Sequence, residues 1–253
     1  MFRRRERRTE ESGPYWKQRG WQVSAVFIAL VFLLGGIVAL VSGKGGAGEG
    51  TSAAVVSDGP LPDSSHNAKG SRPDGCHTDD SAGGAKPDAA PKDVSWHTLG
   101  VARVPVSASA GPTLIEGPLW WCFAHTQTGA ALAASVIPSQ MSGSHWKAVT
   151  DRQVVAGAGR RMWEFKRGTV KNIDSAADTD AAIATYVGFS VASYTSTAAT
   201  VRLLLKSDSG YAATTVDLRW SGGDWKLLAD GSGSLHSSVS SISNTDGFVL
   251  WGV

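Results

Sequence analysis

The sequence is poor in the groups that announce a reaction. Its 253 residues include two cysteines, which do not form a Cys-x-x-Cys pair. The six histidines (66, 77, 97, 125, 145 and 236) show no His-x-x-x-His spacing. The usual zinc and dithiol signatures are thereby excluded. No Gly-x-Ser-x-Gly elbow occurs, and the glycine-rich stretch 43–50 lacks both the preceding strand and the terminal Lys-Ser/Thr of a phosphate loop. His145 and Asp151 come nearest to an acid–base pair, but a histidine on a helix surface beside an exposed aspartate is the simpler reading. Nothing here makes a case for catalysis, a cofactor or a metal.

Charge is absent where it matters most. Between Trp21 and Val41 there are 21 residues without one charged side chain, mostly Val, Leu, Ile, Ala and Phe. As a helix this run reaches about 31 Å, close to the roughly 30 Å hydrocarbon core of a bilayer. Residues 1–20 hold seven basic groups against three acidic ones, a balance of +4, and only Lys44 follows closely. The positive-inside rule then predicts a cytoplasmic tail at 1–20, a transmembrane helix at 21–42 and an extracytoplasmic remainder in the cell membrane. Anionic lipid headgroups are the natural partner of the tail. The alternative is a cleaved signal peptide ending near Val41-Ser42-Gly43, although its apolar run is normally shorter. No cysteine lies near position 43, which excludes lipoprotein processing. The rest of the chain has 17 basic against 19 acidic residues, or −2, and gives no reason to expect a nucleic-acid surface.

Aromatic residues are missing altogether between Phe32 and Trp96. The intervening Gly, Ser, Ala, Pro and Asp cannot bury enough apolar surface to offset the entropy of ordering them, so 43–93 reads as a flexible linker. From Trp96 onward eight of the ten tryptophans appear, marking a folded domain at 94–253. The run Trp96–Val106 predicts a short strand. Thr128–Ile137 predicts a helix capped by Thr126 or Thr128 and stopped by Pro138. Ser144 is a candidate cap for a second helix through Val155. A third is expected over Gly159–Lys171, with Met162, Phe165 and Val170 inward. Alternation then predicts strands over Tyr186–Tyr194 (Val187, Phe189 and Val191 on one face), around Val201–Leu205, over Tyr211–Trp220 and over Trp225–Leu228. Gly222-Gly223 predicts a tight hairpin, with Trp220 and Trp225 as diagonal neighbours. Helices followed by an antiparallel meander make an α+β domain, helices packed on one face of a curved sheet.

Cys76 and Cys122 both fall outside the membrane in this topology, where two thiols pair more readily than they stay free. The alternative is a buried Cys122 and a free, exposed Cys76.

Several stretches of the exported part carry a resemblance. VSWHTLGVARVPVSASAGP (94–112), WCFAHTQTGAALAA (121–134), RQVVAGAGR (152–160), TVDLRWSGGDWKLLADG (215–231) and DGFVLWGV (246–253) are similar to an actinobacterial family of membrane-anchored proteins of undefined activity. Members are found near conjugation and type IV secretion-like genes. The architecture also resembles TcpC and the VirB-eight type of secretion component, in which a tail and one helix precede nuclear transport factor two-like cones. The resemblance implies one such cone, a non-enzymatic scaffold role, other membrane components of the machine as partners, and self-association. The same fold also houses enzymes and ligand pockets, so a ligand-binding or enzymatic cone, or a cell-wall-contacting factor, stands beside it.

Overall fold

A computed structural model of the chain describes residues 72, 74–174 and 183–252. The expected tail, span and first part of the linker lie outside them. No helix among the described residues is long and apolar enough to cross a membrane.

The domain is α+β. Strands β1 (Val94–Leu99) and β2 (Ala102–Ser107) form a hairpin where the sequence predicts one short strand. A small separate hairpin follows, β3 (Leu114–Glu116) with β4 (Leu119–Trp121). Helices α1 (Gln127–Ser139), α2 (Trp146–Gln153) and α3 (Ala158–Arg167) come next. The meander β5 (Ala184–Tyr194), β6 (Ala198–Ser207), β7 (Gly210–Ser221) and β8 (Asp224–Leu227) completes the main sheet, in the order β1-β2-β5-β6-β7-β8. Two short strands, β9 (Ser240–Ile242) on β7 and β10 (Val249–Leu250) on β5, bring the C-terminal segment back onto it. Among the described residues every strand pairing is antiparallel except the short contact of β2 with β5, and an isolated parallel bridge joins Val154 to Leu227.

The curl of the sheet starts in β5. Its register against β6 shifts between Tyr186 and Gly188 and again between Val191 and Ser193. Such irregularities bend and twist a strand. The first one also changes which side chains face the helices. Tyr186 and Phe189 are both in the core and Val191, partly buried, packs against it, while Val187, expected on the Phe189 face, is buried outside that cluster. At Gly188 a Cβ would sit 2.8 Å from the Val249 carbonyl oxygen, so the missing side chain lets β10 close on β5. Phe189 then stacks on Trp251 at 4.3 Å between ring centroids.

Helix α1 lies on the concave face of this sheet. Thr126 caps it, its hydroxyl accepting from the Gly129 amide, and the helix carries Pro138 into its last turn before ending one residue later. Ala130, Ala131, Leu132, Ala133, Ala134, Val136 and Ile137 are all fully buried. Small side chains all round let the helix axis approach the sheet while Leu132 and Ile137 fill the remaining depth.

Two expectations about the other helices are corrected. Ser144 does not cap α2; its amide and hydroxyl donate to Asp174 Oδ1, and His145 precedes the helix without a side-chain cap. In α3 the inward residues are Trp163 and Arg167, four apart, whereas Met162 is 41% and Phe165 74% exposed. The cause is polar. The Trp163 indole N–H donates to Thr150 Oγ1, and the Arg167 guanidinium donates to the carbonyls of Met141, Ser142, Gly143 and Val170. Those bonds hold one face of the helix inward and turn Phe165 out.

The Gly222-Gly223 hairpin forms as expected, with φ of 63° and 80°. Its register is different. Ser221 pairs with Asp224 and Trp220 lies directly opposite Trp225, because a two-residue loop leaves no offset between the strand ends. Trp225 is fully buried and its indole N–H donates to the Ala124 carbonyl at 3.0 Å. Replacing Trp225 with Ala is expected to cost about 3–5 kcal/mol. Gly223→Val should cost about 1–3 kcal/mol through backbone strain at a positive φ. Denaturant titrations of both variants check these values, and a Trp225→Ala variant as stable as wild type would remove that ring from the core.

Candidate functional site

Two places on the domain gather polar groups. The first surrounds the disulfide. Cys76 and Cys122 are bonded to each other across 46 positions. Cys122 has a φ of 69°, a conformation that a non-glycine residue adopts at a cost. It is held there by Asp224, the residue that opens β8. Asp224 Oδ2 accepts from the Cys122 amide at 2.7 Å, and Oδ1 accepts from the Phe123 amide and from its own neighbour Trp225, both at 2.9 Å. Asp224 is 1% exposed, and burial pushes its carboxyl up to about 6, against the downward pull of these three donors and of Arg72.

Arg72 spans the outside of this region. It donates to the Phe123 carbonyl and to Asp80, and its guanidinium lies 5.3 Å from the centre of the Trp220 ring. His125 stacks on the same ring at 3.8 Å, while Tyr194 donates to the His125 carbonyl. The N-terminal approach to the domain is thus fastened by one covalent bond and by charge-assisted hydrogen bonds. All of these groups are engaged with each other, which is the chemistry of a clasp. Residues 74–93, within the stretch expected as linker, also dock in part: Asp93 accepts from the Ser107 hydroxyl and the Ser109 amide, and Gln127 donates to the Gly84 carbonyl.

The second place is a cleft of about 160 Å³ beside the middle of β7, lined by Thr215, Asp217, Asp230, Ser234, His236 and Ser237 among others. Asp230 closes a loop on itself, accepting from the Ser232 amide and hydroxyl and from the Ser234 amide. Burial works to raise its carboxyl, but these donors and nearby Lys166 outweigh it and hold the group below the usual carboxylate range. Asp217 accepts from the Thr200 hydroxyl at 2.7 Å. His236 is pulled down by burial, against the Ser237 carbonyl that favours its charged form.

The local hydrogen bonds limit what His236 can do. Its Nδ1 sits 2.7 Å from the Ser237 carbonyl oxygen, which can only accept, so Nδ1 carries the proton there. Thr214 donates its hydroxyl to the same oxygen. A nitrogen that already holds its proton cannot take one from Thr214, so the pair is not a nucleophile with its base. The cleft offers two carboxylates, an imidazole and several hydroxyls to a small polar guest.

The space between helices and sheet is packed with apolar side chains. It is filled by Phe123, Leu132, Phe189, Leu203, Trp225 and Trp251. An apolar gap of about 20 Å³ between the β1–β2 turn, the end of α1 and α3 is the size of one water.

Of the residues weighed from sequence, Cys76 and Cys122 are brought together. His145 and Asp151 are not: Asp151 pairs with Arg160, and the charge felt across from His145 is that of Asp174. No cluster of three or more His, Cys, Asp or Glu side chains is gathered as a metal site among the described residues. The cleft escaped sequence reading because its walls come from β7 and the loop after β8, with no short motif joining them. The one local signal, Asp230-Gly-Ser-Gly-Ser234, reads simply as a turn.

A family model described as a domain of unknown function (DUF8175) matches residues 58–250. No curated protein and no solved structure matches the chain significantly.

The buried carboxyl of Asp224 sets a pH dependence. Its folded value, about 6, lies above the ordinary 3.8, so the folded state holds this proton more tightly than the unfolded chain. The stabilisation it contributes is complete below the unfolded value and lost as pH rises through about 6. Raising pH from about 5 to about 7 should therefore remove about 1 kcal/mol. Asp224→Asn should flatten that component while costing about 1–3 kcal/mol through one lost acceptor. Unfolding free energies measured across this range for both proteins check it, and an unchanged slope in the variant would assign the effect elsewhere.

Proposed function

We propose, for a chain that belongs to the DUF8175 family of domains of unknown function, that this domain is the exported part of a single-pass membrane scaffold. On this reading residues 1–20 are cytoplasmic and touch anionic headgroups, 21–42 span the cell membrane, and 43–93 lead to a nuclear transport factor two-like cone. The cone is a non-enzymatic assembly component of a conjugation or type IV secretion-like machine. It binds other membrane components of that machine and further copies of itself.

One observation carries the non-enzymatic part. In a cone that acts on a substrate, the concave face of the sheet is the pocket. Here that face is occupied by α1 and by the rings of Phe123, Phe189, Trp225 and Trp251. What is left for interaction is the outer surface, which suits a scaffold. The uncharged run at 21–41 behind a basic tail supports the anchor, and the disulfide supports an oxidising compartment. The cleft at His236 favours a second reading, a ligand-binding cone, because it is polar and open while the concave face is closed.

Orientation is tested with a thiol reagent that cannot cross membranes, applied to intact cells. Ser65→Cys should be labelled and Thr9→Cys should not; labelling of the Thr9 variant reverses the topology. The scaffold role is tested by purifying the chain with its partners from native membranes. Secretion-type ATPases and channel components should accompany it, and their repeated absence would count against the machine.

A further inference from the structure

Charge on the described domain is strongly segregated. Residues 146–171, which hold α2 and α3, carry seven basic against two acidic side chains, a balance of +5. The rest of residues 74–252 carry seven basic against fourteen acidic, or −7. Within the positive segment both acids are engaged by Arg160, Asp151 from α2 and Glu164 from α3. Arg167 is turned inward onto carbonyls. The outer charge therefore comes from Lys147, Arg152, Arg161 and Lys171, with Lys166 facing Asp230.

The apolar side chains of α3 stand among these cations. Trp163 faces the core, so Ala158, Arg161 and Phe165 project from the opposite side of the helix, with Met162 on the flank. All four are exposed, Phe165 to 74%. An exposed phenyl ring and a thioether ringed by Arg and Lys are the components of a helix that lies in a lipid interface, rings in the acyl boundary and cations among the headgroups.

We infer that the outer face of α3 docks on an anionic phospholipid surface and lays the domain against the membrane. The inference rests on the membrane-anchor reading only for bringing the two together. The 32 residues between Val41 and Asp74, at coil dimensions, reach on the order of 30 Å, which keeps α3 within range of the bilayer. Charge complementarity selects the occupant. An acidic lipid surface answers the +5 segment, and hydrocarbon answers Phe165 and Met162, which a nucleic-acid backbone would leave in water.

Met162 supplies the reporter, since Met141 is 2% exposed and serves as the internal reference. The full chain is reconstituted into vesicles of phosphatidylcholine alone, or of phosphatidylcholine with phosphatidylglycerol. Flotation of the vesicles reports the anchor separately from α3. Oxidation of Met162 by dilute peroxide, followed by mass spectrometry, should slow several-fold on the acidic vesicles and recover at high salt. Phe165→Ser should lose the protection with an unchanged melting temperature. Arg161→Glu should weaken it too, since each basic side chain near such a surface is worth about a five-fold change in partitioning. Equal Met162 oxidation on both vesicle types, in protein that floats with them, overturns the docking and leaves the anchor standing. Protection by duplex DNA in detergent, without protection by acidic vesicles, also overturns it and assigns the face to nucleic acid.

Discussion

The carboxylate of Asp224 is the point on which the described domain turns. It sits at the first position after a Gly-Gly turn, fully buried, and ties three amides from two distant parts of the chain. Through Cys122 and Phe123 it reaches the segment between the β3–β4 hairpin and α1; through its own neighbour it sets Trp225. A buried ionisable group is tolerated only when its hydrogen-bonding capacity is met, so the chain must bring all these donors to one place. Each donor is a backbone group, which makes the arrangement one of chain path, independent of which side chains flank it.

From that point the packing follows. Trp225, held beneath the clasp, donates to Ala124, two residues before the cap of α1. The helix is thereby fixed where its alanines meet the concave sheet, and the bulges of β5 curve that sheet around it. Cys122 adds the covalent tie to Cys76, whose closed loop is worth roughly 4 kcal/mol in the chain-entropy account. Arg72 covers the bridge from outside. The same few residues thus join the approach segment, the turn before α1 and the edge of the sheet.

Much of this architecture is legible from sequence, and the reasons differ by element. Alternation in Val201–Leu205 and Tyr211–Trp220 survives because those strands pair without interruption, and the Gly-Gly turn forms because two residues with positive φ are required there. Thr126 reads as a cap because its hydroxyl has a local partner. The failures are all non-local. Periodicity cannot see that β5 is bulged, so it misplaces Val187. It weighs Phe165 as more apolar than Arg167, yet three carbonyls from the segment after α1, with that of Val170, make Arg167 the inward residue. The disulfide is readable from compartment logic, whereas Asp224 looks in sequence like an ordinary turn aspartate. The cleft at His236 has no sequence signature at all.

The orientation of α3 links these points to function. Once Trp163 and Arg167 are turned inward by their polar partners, helical geometry leaves position 165 no place in the core. Folding alone would then accept any polar side chain there, at no cost in packing. A phenyl ring at that position instead exposes apolar surface that water disfavours. It does so beside an Arg in the most basic stretch of an otherwise acidic domain. With the concave face of the sheet packed by α1 and four aromatic rings, the Phe165 ring is the apolar surface on which the proposed membrane docking rests.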